Sequence, residues 1–193
     1  MKSTTYIRKI KFLILPLLVA STNIYAAQCN TKQLDQLFNL MSQRGNLMRG
    51  VAAYKYVEKS SIYDANQELK LLQTSLDIAD ANQLNADKLM VFVQIQMDLS
   101  KQIENYWIQY WKAHPEDAPD PGITPDISSL RQQIAAIDGK LYPQIGANVN
   151  NLKRCSQDTI TKQYNKAMNQ IKGIPQAPDY NMLIIASLRN ISK

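Results

Sequence analysis

Histidine occurs once in this 193-residue chain and cysteine twice. Zinc asks for three or four clustered ligands, so His114, Cys29 and Cys155 offer no metal site. Hydroxyl residues accompany His114, yet nothing gives a Ser/His/Asp order with a recognisable nucleophile elbow. Covalent catalysis therefore has no support. Glycine is sparse, at six residues, and no Gly-rich phosphate loop is present. Sustained alternation of apolar and polar residues is missing, which argues against strands. Long apolar runs are missing too. Phe12 to Ala20 is nine residues with Pro16 among them, and a membrane span needs about 20.

That short apolar run is instead the core of an export signal. Arg8, Lys9 and Lys11 precede it, and polar residues and Ala26-Ala27 follow it ahead of Gln28. Residues 1–27 are expected to be a cleaved secretory signal, cut after Ala27 or Ala26. Cys29 is not a lipid-attachment cysteine, because Gln28 stands before it where a small residue belongs. Four of the 22 basic residues and none of the 16 acidic ones lie in this segment, which leaves a charge balance of only +2 beyond it. So small a surplus implies no nucleic-acid footprint, and after signal cleavage no membrane attachment is expected. Residues 28–193 fit one domain. In an oxidising compartment a Cys29–Cys155 disulfide is the default reading; two buried free thiols are the alternative.

The expected fold is all-α, a single-domain bundle of five to six helices. Its helical core covers 31–150 and its C-terminal helices cover 156–190. In residues 31–58, Leu34, Leu37, Leu40, Met41, Leu47, Met48, Val51 and Ala52 recur at three- and four-residue steps. Ser60-Ser61 interrupts that helix. Asp64-Ala-Asn-Gln67 offers an N-cap acceptor with Gln three residues on, and Leu69, Leu72, Leu76 and Ile78 continue inward. A third helix is expected over 86–113, with Phe92, Ile95, Leu99, Ile103 and Tyr106 as its core stripe and Trp107 and Trp111 near its end. His114 to Pro125 holds four prolines, which helix interiors reject. Thr124-Pro-Asp126 then restarts a helix to about Asn150, with Leu130, Ile134, Ile137 and Leu141 inward. Helices over 156–171 and 179–190 follow, separated by Gly173 and Pro175.

Several polar residues stand where chemistry is possible. Arg44 and Lys55 are eleven residues apart on one helix; eleven steps of 100° bring them to within about 20° of one face, about 16 Å apart along the axis. Taken alone, such cations usually snorkel to solvent. Asp64 taken alone is an N-cap, Glu68 a first-turn acid favoured by the helix dipole, and Arg131 a surface ion-pair partner. Gln96, Ser100 and Glu104 form one longitudinal row bordering the apolar positions Ile95, Leu99 and Ile103. Inner polar rows of this kind are where bundles build ligand sites. Three cationic positions and a row of acceptors suit a small dianion that also carries a hydroxyl.

The ordered set resembles the all-helical AroQ-type chorismate mutases, and specifically their exported gamma subclass. The resemblance runs from about Leu40 to Leu141. It includes Val51-Ala-Ala-Tyr-Lys55, Ile62-Tyr-Asp64, Gln67-Glu68, Gln96, Ser100-Lys-Gln-Ile-Glu104, Trp111, the Pro-rich break and Arg131. It implies the type II fold and an isomerase (an intramolecular transferase) of the shikimate route to aromatic amino acids. That enzyme converts chorismate to prephenate by a Claisen rearrangement, without cofactor. It implies that Arg44 and Arg131 hold the substrate carboxylates and that Lys55 donates to the ether oxygen. Glu68 would accept from the ring hydroxyl, Asp64 would position that region, Ser100 would assist at a carboxylate, and Glu104 would be the second donor to the ether oxygen. Gln67 stands where many relatives have Arg, which removes one cation from the substrate-binding set. A homodimer in the periplasm or outside the cell is also implied. The competing expectation is an exported helical binding or effector protein that kept the scaffold and lost the chemistry.

Overall fold

A computed structural model describes residues 28–193, so the export segment expected at 1–27 lies outside the described residues. Six helices follow in order: α1 (Thr31–Val57), α2 (Ala65–Ala81), α3 (Ala86–Ala113), α4 (Ile127–Arg154), α5 (Gln157–Met168) and α6 (Pro178–Arg189). Among the described residues the extended pairing amounts to one isolated antiparallel bridge, Leu84 with Ser192.

Local chemistry sets the helix starts. The side chains of Asn30, Asp64, Asn85, Asp126 and Ser156 each accept from the backbone N–H three residues on. Each satisfies a donor that has no partner within its helix. Helix α6 begins instead with Pro178 in its first turn, where a missing N–H costs nothing. The Pro-rich stretch is a connection with a single 3₁₀ turn, Pro115–Asp117. Helix α4 runs four residues past the expected end, to Arg154. No Gly or Pro stands at Asn150 to stop it, and Cys155 caps it with a backbone bond to the Asn151 carbonyl.

Helix α1 is central. It packs on α3, α4 and α5, whereas α2 packs chiefly on α3. The core fills with Leu34, Leu37, Phe38 and Met41 of α1 against Phe92, Ile103, Leu141, Ile145 and Ile160. A disulfide joins Cys29, just before α1, to Cys155 at the end of α4. Beside it, Asn151 accepts from the Asn30 N–H and donates to the Asn30 carbonyl, both at 2.8 Å. The chain's end is fixed by the Asn85 N–H donating to the Ile191 carbonyl at 2.9 Å.

Three expected core positions lie outside. Leu69 and Leu76 are 55% and 51% exposed, because α2 has chiefly one neighbour and turns the small residues Ser75 and Ala79 inward. Tyr106 is 38% exposed. Past Ile103 the buried face of α3 passes to Ile108 and Trp111, and Tyr106 joins Tyr110 and His114 in a stacked aromatic row on the outer side.

Gly173 lets the α5–α6 connection cross α3 closely. Its φ is +87°, and a Cβ there would sit 2.6 Å from the Tyr106 Cβ and 2.9 Å from the Ile103 Cα. Those atoms belong to a helix and yield little. Gly173→Ala is expected to lower stability by about 1–3 kcal/mol, from the positive φ and the overlap together. Denaturant unfolding measures this, and an unchanged midpoint would refute it.

Candidate active site

Eight of the polar residues singled out by sequence come from four elements and line one cavity, whereas Gln96, one turn before Ser100, is buried outside its lining. Arg44 and Lys55 enter from α1, and Asp64, Gln67 and Glu68 from the start of α2. Ser100 and Glu104 come from α3 and Arg131 from α4. The eleven-residue step on α1 places Arg44 and Lys55 on one wall, and the four-residue step on α3 places Ser100 and Glu104 opposite them. Apolar side chains such as Met48, Val51, Ile62 and Ile134 fill the wall between. The cavity volume is about 140 Å³, which suits a small molecule rather than a polymer.

Two lining residues carry charges that the sequence reasoning did not select, Lys101 and Asp138. Asp138 had a signal: it follows Arg131 by seven residues, two helical turns, and lies between the inward positions Ile137 and Leu141. Lys101 had none beyond its place next to Ser100.

With these two included, every charge on the wall has a partner. Arg44 Nε meets Asp138 Oδ1 at 3.1 Å, and Lys55 Nζ meets Glu104 Oε2 at 2.7 Å. Lys101 Nζ lies 3.3 Å from each Glu68 oxygen, and Arg131 Nη2 lies 2.6 Å from Asp64 Oδ2. Four cations face four carboxyl groups, a set that balances only when all four acids are ionised. The first two pairs are buried at the cavity floor, and the other two are partly exposed at its rim.

Each floor residue has defined spare capacity. Lys55 Nζ donates to Glu104 and to the Ile62 carbonyl at 2.6 Å. An ammonium has three hydrogens, so one remains for a ligand. Arg44 gives Nε to Asp138 and Nη1 to Ser100 Oγ at 2.8 Å, which leaves Nη2 unused. Ser100 gives its own hydrogen to the Gln96 carbonyl at 2.9 Å. In this arrangement Ser100 steadies Arg44 and does not present a donor to the cavity. Asp64 has two tasks: Oδ1 caps α2 through the Gln67 N–H, and Oδ2 holds Arg131.

Burial pushes the Glu104 carboxyl above the ordinary carboxylate range, and the cations Lys55 and Arg44 only partly counter it. Burial also raises Asp138, against the pull of Arg44.

Residues 33–105 match the family described as Chorismate mutase type II. A monofunctional chorismate mutase of Enterobacter agglomerans is 27% identical over 124 residues, 64% of this chain and 67% of that protein. A secreted chorismate mutase of Yersinia pestis is 26% identical over 140 residues, 72% of each chain. Among solved structures, a secreted chorismate mutase from Yersinia pestis superposes with a TM-score of 0.65 at 19% identity, over 81% of this chain and 97% of that one. A chorismate mutase from Burkholderia phymatum gives 0.67 at 13% identity, over 84% and 98%. The structural likenesses define the class, the all-helical type II fold. The family match over residues 33–105 and the two relatives in sequence agree with that fold and make the chain similar to the AroQ-type chorismate mutases. Arg131 and Asp138 lie beyond the span that matches the family.

Proposed function

We propose that this chain is an exported chorismate mutase that converts chorismate to prephenate in the periplasm or outside the cell, after loss of residues 1–27. The observation that carries the reading is the buried Lys55–Glu104 contact of 2.7 Å, in a cavity that also holds Arg44 and Arg131. The reaction breaks a C–O bond and forms a C–C bond within one molecule, and the ether oxygen gains negative charge as it leaves. The third hydrogen of Lys55 and a protonated Glu104 donate to that oxygen. Arg44 and Arg131 hold the two carboxylates, for which the guanidinium fork is suited. Glu68 accepts from the ring hydroxyl, and Gln67 adds a neutral polar contact where an Arg would add charge. Catalysis then consists of holding the reactive conformer and stabilising charge that grows only in the transition state. No cofactor or proton transfer is required. The resemblance further implies a homodimer, and all eight residues on one chain are compatible with each protomer carrying its own site.

The test is loss of chorismate absorbance with the purified protein, with prephenate identified as product. A second reading draws on the paired charges of the wall and on Gln67: a helical binding protein that retains the scaffold without turnover. A folded, oxidised sample that leaves chorismate intact favours it, and Gln67→Arg is then the first substitution to try.

A carboxyl must be protonated to donate. Burial keeps Glu104 protonated above the usual range, so kcat/KM is expected to fall as pH rises through that elevated value. Glu104→Gln donates at any pH and is expected to flatten the profile. A wild-type rate that is flat from mildly acidic to alkaline pH would refute the role. The linked effect on stability has the same sign. Between the ordinary carboxylate pKa and the raised one the folded state binds the proton and the unfolded state does not, so stability also declines with rising pH.

A further inference from the structure

The geometry points to Asp138 as a positioning residue that holds Arg44 by its Nε and turns the terminal nitrogens of the guanidinium toward the cavity. This rests on the chorismate mutase reading of the site. Asp138 is buried on α4, and its Oδ1 accepts from Arg44 Nε at 3.1 Å across 94 positions of sequence. Arg44 is itself buried, and Ser100 takes Nη1 at 2.8 Å. The guanidinium is therefore fixed at two of its three nitrogens, by α4 on one side and α3 on the other. Such fixing has a cost for binding. Asp138 lines the cavity and sets a negative charge beside the nitrogen that would receive a substrate carboxylate. Arg44, from α1, is the ion-pair partner of Asp138, and Tyr142 lies one turn further along α4. A carboxylate kept in an anion site at that expense is explained by orientation of Arg44, since affinity alone would favour a neutral residue.

The roles separate in kinetics. Without Asp138, Arg44 is held only at Nη1 by Ser100 and its guanidinium can tilt, while its charge gains a stronger pull on the ligand. Asp138→Ala is expected to lower kcat about 10- to 100-fold, the scale of a misplacement near 1 Å, with KM unchanged or lower. Asp138→Asn keeps an acceptor at the Oδ1 position without the charge, and is expected to recover kcat to within about threefold, with KM below wild type. Asp138→Glu keeps the charge and displaces the acceptor by a methylene. It is expected to lose kcat, and it serves as the test if the alanine variant does not fold. A packing role alone would lower the melting temperature and leave kcat of the folded enzyme intact. Wild-type kcat in folded Asp138→Ala or Asp138→Glu, or an Asn variant no better than Ala, overturns the inference. Wild-type protein that fails to turn over chorismate overturns the functional reading instead.

Discussion

Lys55→Ala is expected to lower kcat/KM on the order of 10²–10³-fold, as removal of one preorganised donor to a developing oxyanion does. Lys55 is bound at 2.7 Å to Glu104 and at 2.6 Å to the Ile62 carbonyl, so its remaining hydrogen has little freedom of direction. Preorganisation of this kind costs nothing at the moment of reaction. The loss is expected mainly in kcat, because in the proposed mechanism the charge that Lys55 meets grows only as the C–O bond breaks. Stability is expected to change less than removal of a buried ion-pair partner usually implies. Burial already raises the Glu104 carboxyl, and without Lys55 that group can stay neutral instead of remaining as an unpaired charge. Steady-state kinetics with a melting curve on the same sample makes the measurement. A folded Lys55→Ala protein with near-wild-type kcat/KM would sink the proposed mechanism.

Opening the Cys29–Cys155 bridge is expected to produce the largest change in stability. The cysteines are 126 positions apart in sequence. On the chain-entropy model, a loop of that size contributes an upper bound of about 5 kcal/mol by restricting the unfolded chain. The paired Asn30–Asn151 hydrogen bonds remain after reduction and hold the same junction, so the α1 start is not expected to detach outright. Activity of the folded, reduced protein is expected to be preserved. Cys155 lies 17 residues beyond Asp138 along α4, about 25 Å at 1.5 Å per residue. Denaturant unfolding with and without reductant gives the stability term, and single-point kinetics in the folded baseline gives the other. Coincident unfolding midpoints would show that the bridge constrains nothing of consequence. Lost activity in the folded baseline would show that the junction and the cavity are mechanically coupled.

What was legible in the sequence was local. The Asp64 cap, the restart at Thr124-Pro-Asp126 and the three- and four-residue apolar steps marked where helices begin and most of the faces that turn inward, because those signals act within one or two turns; the caps Asn30, Asn85 and Ser156 were recognised only in the structure. The same short-range geometry put Arg44 with Lys55, and Ser100 with Glu104, on common faces. Tertiary packing decided the rest. Leu69 and Leu76 are exposed because α2 found chiefly one neighbour, and no local pattern records how many neighbours a helix will have. The partners of the wall charges were equally hidden. Arg44 with Asp138 and Arg131 with Asp64 are separated by 94 and 67 positions, and only the tertiary fold, with α4 packed on α1, brings them into contact. Ser100 carried a hydroxyl in the sequence, and the structure spent its hydrogen on the Gln96 carbonyl. Residue types and their spacing on single helices are properties of the chain; charge balance in the cavity is a property of how the helices meet.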